Sequence, residues 1–257
     1  MWHGETMTIK KSPSININKM RNKVVVKSND FIQASEYKIS YNQYKVIKYC
    51  FASLADKEQP YVDINIKEYC QAIGLTLQSN NFSGIRDALS TMVGAPFKVE
   101  SEQISINEAI IDSVDFPSKN EARIRISDSY TPLVHYVEPP YTQYKFINIA
   151  FLTSYYSIRL YEMCKSWQVK KSFTIEVDKL RKQFGVEESL NCWQHFKERA
   201  LLKPIQEINQ LTDINVEMYY INRLRTVNQI EFHISSKTRE ERAKVKQYIE
   251  KYIDSKY

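Results

Sequence analysis

One pattern occurs twice in this chain, 111 residues apart, and it limits the available folds more than any single residue does. Val62 to Leu75 lies over Phe173 to Val186 without a gap, and at the same offset Phe82, Ile85 and Arg86 fall on Trp193, Phe196 and Lys197. Each copy reads as a short alternating strand, a brief helix closed by glycine (Gly74, Gly185), a turn, and a second helix with apolar residues at i, i+3 and i+7. That is the layout of a helix-turn-helix. Upstream, after a small shift in offset, Ile47, Cys50, Phe51 and Leu54 match Leu160, Met163, Cys164 and Trp167, so each copy also has an amphipathic first helix. Downstream come alternating strands, Phe97 to Ile106 with Ala122 to Ile126, and Ile214 to Tyr220 with Gln229 to Ile234. A helix-turn-helix followed by a β-hairpin is a winged helix. The expected fold class is therefore α+β, with tandem winged helices related by a pseudo-two-fold internal repeat.

A chain of 257 residues, 43% hydrophobic, can bury one large core or two small ones, and the repeat favours two domains. The expected division is a flexible basic arm with its first strand over 1–30, a first winged helix over 31–147, a second over 148–236, and an amphipathic C-terminal helix over 237–257. Net charge is +4 over residues 1–30, −3 over 31–150, +2 over 151–236 and +3 over 237–257. The second half and both tails are thus the polyanion-facing parts, and the acidic first half suits dimerisation with auxiliary DNA contact. Ser40 and Gln43 have capping-box spacing and open the helix that carries Val46, Ile47, Cys50 and Leu54. Pro139-Pro140 breaks any helix, and Tyr141 to Leu152 reads as an extended connector whose apolar character argues that the domains pack together. Val245, Tyr248, Ile249, Tyr252 and Ile253 give the tail helix one apolar stripe that must dock.

Several classes of chemistry are disfavoured. No run reaches the roughly eighteen apolar residues of a membrane span and the N-terminus lacks a signal-peptide core, so a cytoplasmic protein without membrane attachment is expected. Cys50, Cys70, Cys164 and Cys192 form no CxxC and read as buried free thiols. Five glycines, at 4, 74, 84, 94 and 185, permit neither a GxGxxG nor a phosphate-cradling GxxxxGK[ST], so no ATPase motor and no cofactor is expected. His3, His135, His195 and His233 are isolated, without the His-x-His pair that would hold the metal of a DNA-nicking relaxase. Tyr155-Tyr156 is the tempting nucleophile pair, but tyrosine at apolar spacing is more often core. No catalytic and no metal residue is assigned.

The informative segment runs from Asn191 to Ile208. At 3.6 residues per turn, Trp193, Phe196, Ala200, Leu201, Pro204, Ile205 and Ile208 form one apolar side. Asn191, His195, Glu198, Arg199, Lys203 and Gln206 line the other. Asn191 and Gln194 have capping-like spacing, which would point the helix N-terminus outward, where it favours phosphate. Reading bases needs donors and acceptors that reach the major groove, and Asn191, Gln194, His195, Lys197, Glu198, Arg199 and Lys203 supply both. Such a face is otherwise an ordinary solvated one; its place as second helix of the turn favours DNA contact. Pro204 lacks an N–H and clashes with the carbonyl of Ala200, so a bend is expected there. The corresponding helix of the first copy, Asn81 to Val93, offers Ser83, Arg86 and Ser90 outside, beside Asp87, and is the poorer DNA reader.

These residues carry a resemblance. Ser157 to Glu162, Phe173 to Val177 with Leu180-Arg181 and Gly185-Val186, and Phe196 to Arg199 through Pro204 and Glu207-Ile208-Asn209 to Thr212-Asp213-Ile214 resemble the initiator replication proteins of iteron plasmids, the Rep_3 or RepB-like family. Val25 to Ala34 resembles that family's approach to its first winged helix. The resemblance covers about residues 24–235. It implies binding to direct repeats in a plasmid origin, opening of AT-rich DNA and recruitment of host replication proteins, such as an initiator or helicase. It also implies a dimer, in equilibrium with the monomer, that represses its own promoter; an inverted repeat would suit such a dimer. Family members often carry basic residues where this chain has Lys197, Glu198 and Arg199; Glu198 departs from that, and a carboxylate could accept from cytosine N4. The alternatives are a tandem winged-helix transcriptional regulator and, disfavoured, a relaxase-type nicking enzyme.

Overall fold

The computed structural model describes residues 17–36, 39–54, 59–101, 104–223 and 226–254. Alternating apolar residues start each repeat. Val62 and Ile64 are buried on β3 (Tyr61–Asn65), as are Phe173 and Ile175 on a later strand, while their neighbours Tyr61, Asp63, Thr174 and Glu176 face out. Asn65 then caps α4 (Ile66–Ala72), accepting from the Glu68 amide at 3.1 Å, and Gly74 at φ +72 lets the chain turn towards α5 (Ser79–Ser90). That helix begins earlier than expected. Asn81 does not open it, and its amide donates instead to the Thr76 carbonyl at 2.7 Å, fastening the turn.

The wing of the first domain is β6 (Ile111–Ser118) with β7 (Glu121–Ile126), and β7 pairs with β3 at Ile64↔Ala122. In the second domain β9 (Ser172–Glu176) pairs the same way with β11 (Thr226–Ser236), which pairs with β10 (Ile214–Arg223). The sheet orders β3-β7-β6 and β9-β11-β10 correspond, so the sequence repeat is a structural repeat.

The expected pairing of Phe97–Ile106 with Ala122–Ile126 is corrected. Phe97 and Ile106 lie on β4 (Pro96–Glu100) and β5 (Ser105–Ala109), which form a hairpin of their own at Val99↔Ile106 and a separate sheet with β2 (Ser35–Glu36). In the second domain only Thr212 and Asp213 separate recognition helix from wing, whereas the first domain inserts this hairpin between Ser90 and Ile111. An insertion in one copy breaks the offset on which the repeat was read.

The arm and the connector also differ from expectation. Residues 1–16 lie outside the described residues, but from Ile17 the chain is built into the first domain. α1 (Ile17–Arg21) places Arg21 against the carbonyls of Ala72 and Gln71, at 2.9 and 3.1 Å. β1 (Val24–Ser28) pairs antiparallel with β8 (Tyr141–Lys145), at Val26↔Gln143. α2 (Asn29–Ala34) follows. The stretch Tyr141–Leu152 is therefore a strand and the short helix α7 (Ile147–Ala150), not an extended link. Strand formation satisfies backbone groups that burial would otherwise leave unpaired. α6 (Thr131–Val134) precedes β8.

α3 (Tyr41–Leu54) is the hub, buried from Tyr44 to Leu54 between α5, β1 and α8 (Tyr155–Trp167). Its N-terminus carries the expected capping box: Gln43 Oε1 accepts from the Ser40 amide at 2.7 Å and Ser40 Oγ from the Gln43 amide at 3.3 Å. The two domains join over α8. Glu162, fully buried, accepts from Lys27 at 3.2 Å, from Tyr144 at 2.6 Å and from Tyr44, with the Lys48 ammonium at 3.5 Å. Buried charges persist only when paired and hydrogen-bonded in this way.

Cys50, Cys70 and Cys164 are buried free thiols, and burial pushes Cys50 up to about 12. Cys192 is exposed, against expectation, because it stands where the turn meets the next helix. α12 (Arg239–Asp254) docks with Ile249 buried and Val245 half-buried, but Tyr248 is exposed, so the expected stripe is narrower. The side chains of Tyr252 and Ile253 lie outside the described residues.

Candidate nucleic-acid interface

α9 (Val177–Phe184) buries Leu180 and Phe184 and ends at Gly185, whose φ of +65 is the left-handed C-terminal geometry glycine adopts without strain. The chain re-enters helix at α10 (Trp193–Phe196), widens into a π-helical stretch (Lys197–Leu202) and continues as α11 (Lys203–Leu211). Phe196, Ala200, Leu201, Pro204 and Ile208 are buried, as the sequence projection requires, with Phe184 packed 6.4 Å from Phe196 between ring centres. Arg181 locks the turn. Its guanidinium lies 5.0 Å from the Phe196 ring centre and donates to the Asn191 carbonyl at 3.0 Å.

The opposite face is polar and accessible: Gln194, His195, Glu198, Arg199, Lys203 and Gln206 are exposed. Glu198 and Lys203 approach to 3.9 Å, a solvent-screened pair that leaves both able to exchange partners. Lys197 is half-buried, its ammonium 5.1 Å from the Tyr220 ring centre. Leu202 adds an apolar group to the outer face, at 43% exposed.

One expectation here is corrected. Asn191 is exposed but does not cap the helix. Cys192 occupies the N-cap position, and the nearby backbone N–H groups of His195 and Gln194 lower its thiol pKa. The distortion expected from Pro204 takes the form of a π-helical turn that contains Ala200. The helix accommodates it one turn earlier by π bonding, with the Lys203 amide donating to the Glu198 carbonyl.

In the first domain, Ser83 and Ser90 are exposed on α5, with Ser83 Oγ donating to the Asn80 carbonyl at 3.1 Å. Arg86, expected to point outward, is occupied. It lies 3.9 Å over the Phe116 ring and donates to the Ser118 carbonyl at 3.1 Å, pinning the turn of its own wing. Aromatic Phe116 on a wing strand was the available signal, but nothing in the spacing ties it to Arg86.

The second wing forms as the alternating strands predict, but the residues near its tip were not among the candidate site residues. Tyr219, Tyr220 and Ile221 are exposed near its tip, where the ladder is irregular between Ile221 and Asn222. Tyr220 meets Trp193 edge-on at 5.6 Å, coupling the wing to the start of the recognition helix. The adjacent aromatics Tyr219-Tyr220 at the end of an alternating strand were the available signal.

Among the described residues no group of three or more His, Cys, Asp or Glu could hold a metal ion, and no helix is long and apolar enough to cross a membrane. Tyr155 and Tyr156 pack against Tyr44 and Phe184, and burial raises the Tyr156 pKa, opposite to the need of a phenolate nucleophile.

Two winged helices on one chain, with the recognition helix of the second seated by its apolar side and open on its polar side, define the DNA-binding class of duplicated winged-helix proteins. The chain belongs to the initiator replication protein family: the family models for Initiator Replication protein, WH1, and Initiator Rep protein, WH2, match residues 24–165 and 176–234. A crystal structure of the Pi initiator protein in complex with iteron DNA is similar in fold, with a TM-score of 0.67 at 17% identity, over 84% of this chain and 98% of that one. Domains 2 and 3 of RctB align with a TM-score of 0.51 at 12% identity, over 77% of this chain and 82% of that one. The comparison with curated proteins returns no match.

Proposed function

We propose that this initiator binds repeated duplex sites, iterons, at a plasmid origin and promotes opening of the adjacent DNA, with the second winged helix as principal reader. The observation that carries this reading is the outward face of Gln194, His195, Glu198, Arg199 and Lys203 on a helix anchored by Phe196 and Ala200. Arg199 and Lys203 supply guanine or phosphate contacts, Glu198 accepts from cytosine N4, and Leu202 offers an apolar surface to a thymine methyl. The Pi initiator, crystallised with iteron DNA, has the same fold, which supports duplex repeats as the ligand.

The first domain, with a net charge of −3 over 31–150, serves self-association and auxiliary contact. A dimer would occupy an inverted repeat and restrain expression of the chain, and a monomer would occupy direct repeats. Host replication proteins would then be recruited to the opened origin. Footprinting on DNA beside the gene tests the reading: protection of direct repeats next to an AT-rich segment is expected. Protection of a promoter alone would leave a transcriptional regulator, and Mg²⁺-dependent nicking with tyrosine-linked DNA would overturn the non-enzymatic reading.

In a gel-shift series, Arg199→Ala and Lys203→Ala should each weaken origin binding without lowering the melting temperature. A base contact costs about 1–3 kcal/mol and relaxes one position, whereas a phosphate contact lowers affinity evenly and reduces the salt slope by about one. Wild-type binding by both variants would mean that the reading face lies elsewhere.

A further inference from the structure

A cleft of about 650 Å³ opens between the first domain and the C-terminal helix, and none of the candidate reading residues lines it. One wall is α1 with the start of β1, the base is β8 and α7, and the other wall is the end of α11 with α12. Its lining mixes apolar side chains, among them Val24, Ile147 and Val245, with the cations Arg21, Lys145, Arg242 and Lys246. Two carboxylates line it, Asp213 and Glu250, and both are engaged, as are two of the cations, Arg21 on the carbonyls of Ala72 and Gln71 and Lys246 with Glu250. Asp213 accepts from Tyr161 at 2.8 Å and Lys165 at 3.1 Å, and Glu250 faces Lys246 at 3.8 Å.

We propose that this cleft is a docking site for an acidic segment of a second protein, anchored by apolar side chains between its carboxylates. Charge complementarity carries the choice of occupant, since four cations against two carboxylates give the lining a net positive charge beside its apolar side chains. Residues 1–16 of this chain have Lys10 and Lys11 against Glu5 and share the cleft's sign, which argues against them. A duplex is met by elements that project into its grooves, and a concave apolar floor does not do that. The cleft touches the recognition rod at Leu211, and the reading face begins at Trp193, on the order of 25 Å away at 1.5 Å per residue. A partner held here would therefore be carried on DNA without competing for it. The wall from α12 lies beyond residue 234, outside the span matched by the family models. This inference needs only the fold and stands apart from the iteron reading.

Fluorescence anisotropy on the full chain tests it, using labelled peptides of about a dozen residues that set Leu and Phe at varied spacing among Glu and Asp. One control panel replaces the acids by Lys and another replaces the apolar residues by Ser. At least one acidic apolar peptide should bind tenfold or more tightly than both controls, and the double variant Arg242→Glu with Lys246→Glu should lose that binding tenfold or more. Both positions are exposed, so the variant should melt like wild type and shift DNA unchanged. Binding should persist with repeat DNA present. No binding across the panel, equal binding of the controls, indifference to charge reversal, or displacement by a duplex would each overturn the proposal; displacement would make the cleft a nucleic-acid surface.

Discussion

Glu162 shows how one buried carboxylate can tie α8 to β1, α3 and β8. Burial alone would raise its pKa, but Lys27 and Lys48, with the hydroxyls of Tyr144 and Tyr44, outweigh that and hold it at about 2. Burial also pushes Lys48 well below the usual lysine range, so the carboxylate is what keeps that ammonium tolerable inside. Because the folded value is depressed, the contribution is present in full above the unfolded value near 4.5 and is lost as pH falls through about 2. A shift of this size corresponds to roughly 3 kcal/mol. Glu162→Gln should destabilise the protein by about 3–5 kcal/mol at neutral pH, by leaving two buried ammonium groups without their counter-charge. It should also flatten the acid limb of the stability curve, which urea titrations between pH 7 and 3 would read. An unchanged acid limb would show that other carboxylates govern acid unfolding. Phe196→Ala belongs to the same scale. This ring is fully buried, so its truncation should cost on the order of 3–5 kcal/mol and lower the melting temperature before any DNA effect is considered.

At the scale of elements, the recognition rod was legible because its physics is local. Phe196, Ala200, Pro204 and Ile208 recur at helical spacing, and burial follows that spacing. The same locality made the Ser40–Gln43 cap and the Gly185 turn readable. What escaped depends on pairing across distance. Arg86 stacks on Phe116 and reaches Ser118, and no periodicity in α5 encodes that choice. The hairpin of β4 and β5 was assigned to the wrong sheet because alternation marks a strand without naming its partner. Arg86→Ala should loosen the first wing. Hydrogen exchange should rise around the turn after Ser118, while DNA affinity should change little if the second domain dominates reading. A large loss of affinity with an unaltered wing would instead make Arg86 a direct DNA contact.

For the whole molecule, the repeat foretold two similar units but not how distant segments are tied together around the first. The connector's apolar character pointed to packing; the pairing of β8 with β1 and the Glu162 cluster lay beyond it, because each joins residues more than a hundred positions apart. Light scattering should find a concentration-dependent dimer of the free chain, and gel-shift stoichiometry should find one chain per direct repeat and two per inverted repeat. A dimer on a single direct repeat, or no dimer at any concentration, would remove the two-form scheme and leave DNA binding intact.

The ladder of β1 on β8 has a consequence for how the chain is made. Val26 waits for Gln143, and Lys27 for Glu162, so the first half leaves the ribosome lacking both the strand that closes its sheet and the charge that neutralises its interior. Contacts this distant in sequence slow folding, since the loop between them must be closed before they contribute. Although the architecture is a duplication, the N-terminal copy should mature only after the first helix of the C-terminal copy, α8, has been synthesised. Nascent chains cut before residue 141 should accordingly stay protease-sensitive, and those reaching past Trp167 should become resistant together with the first domain.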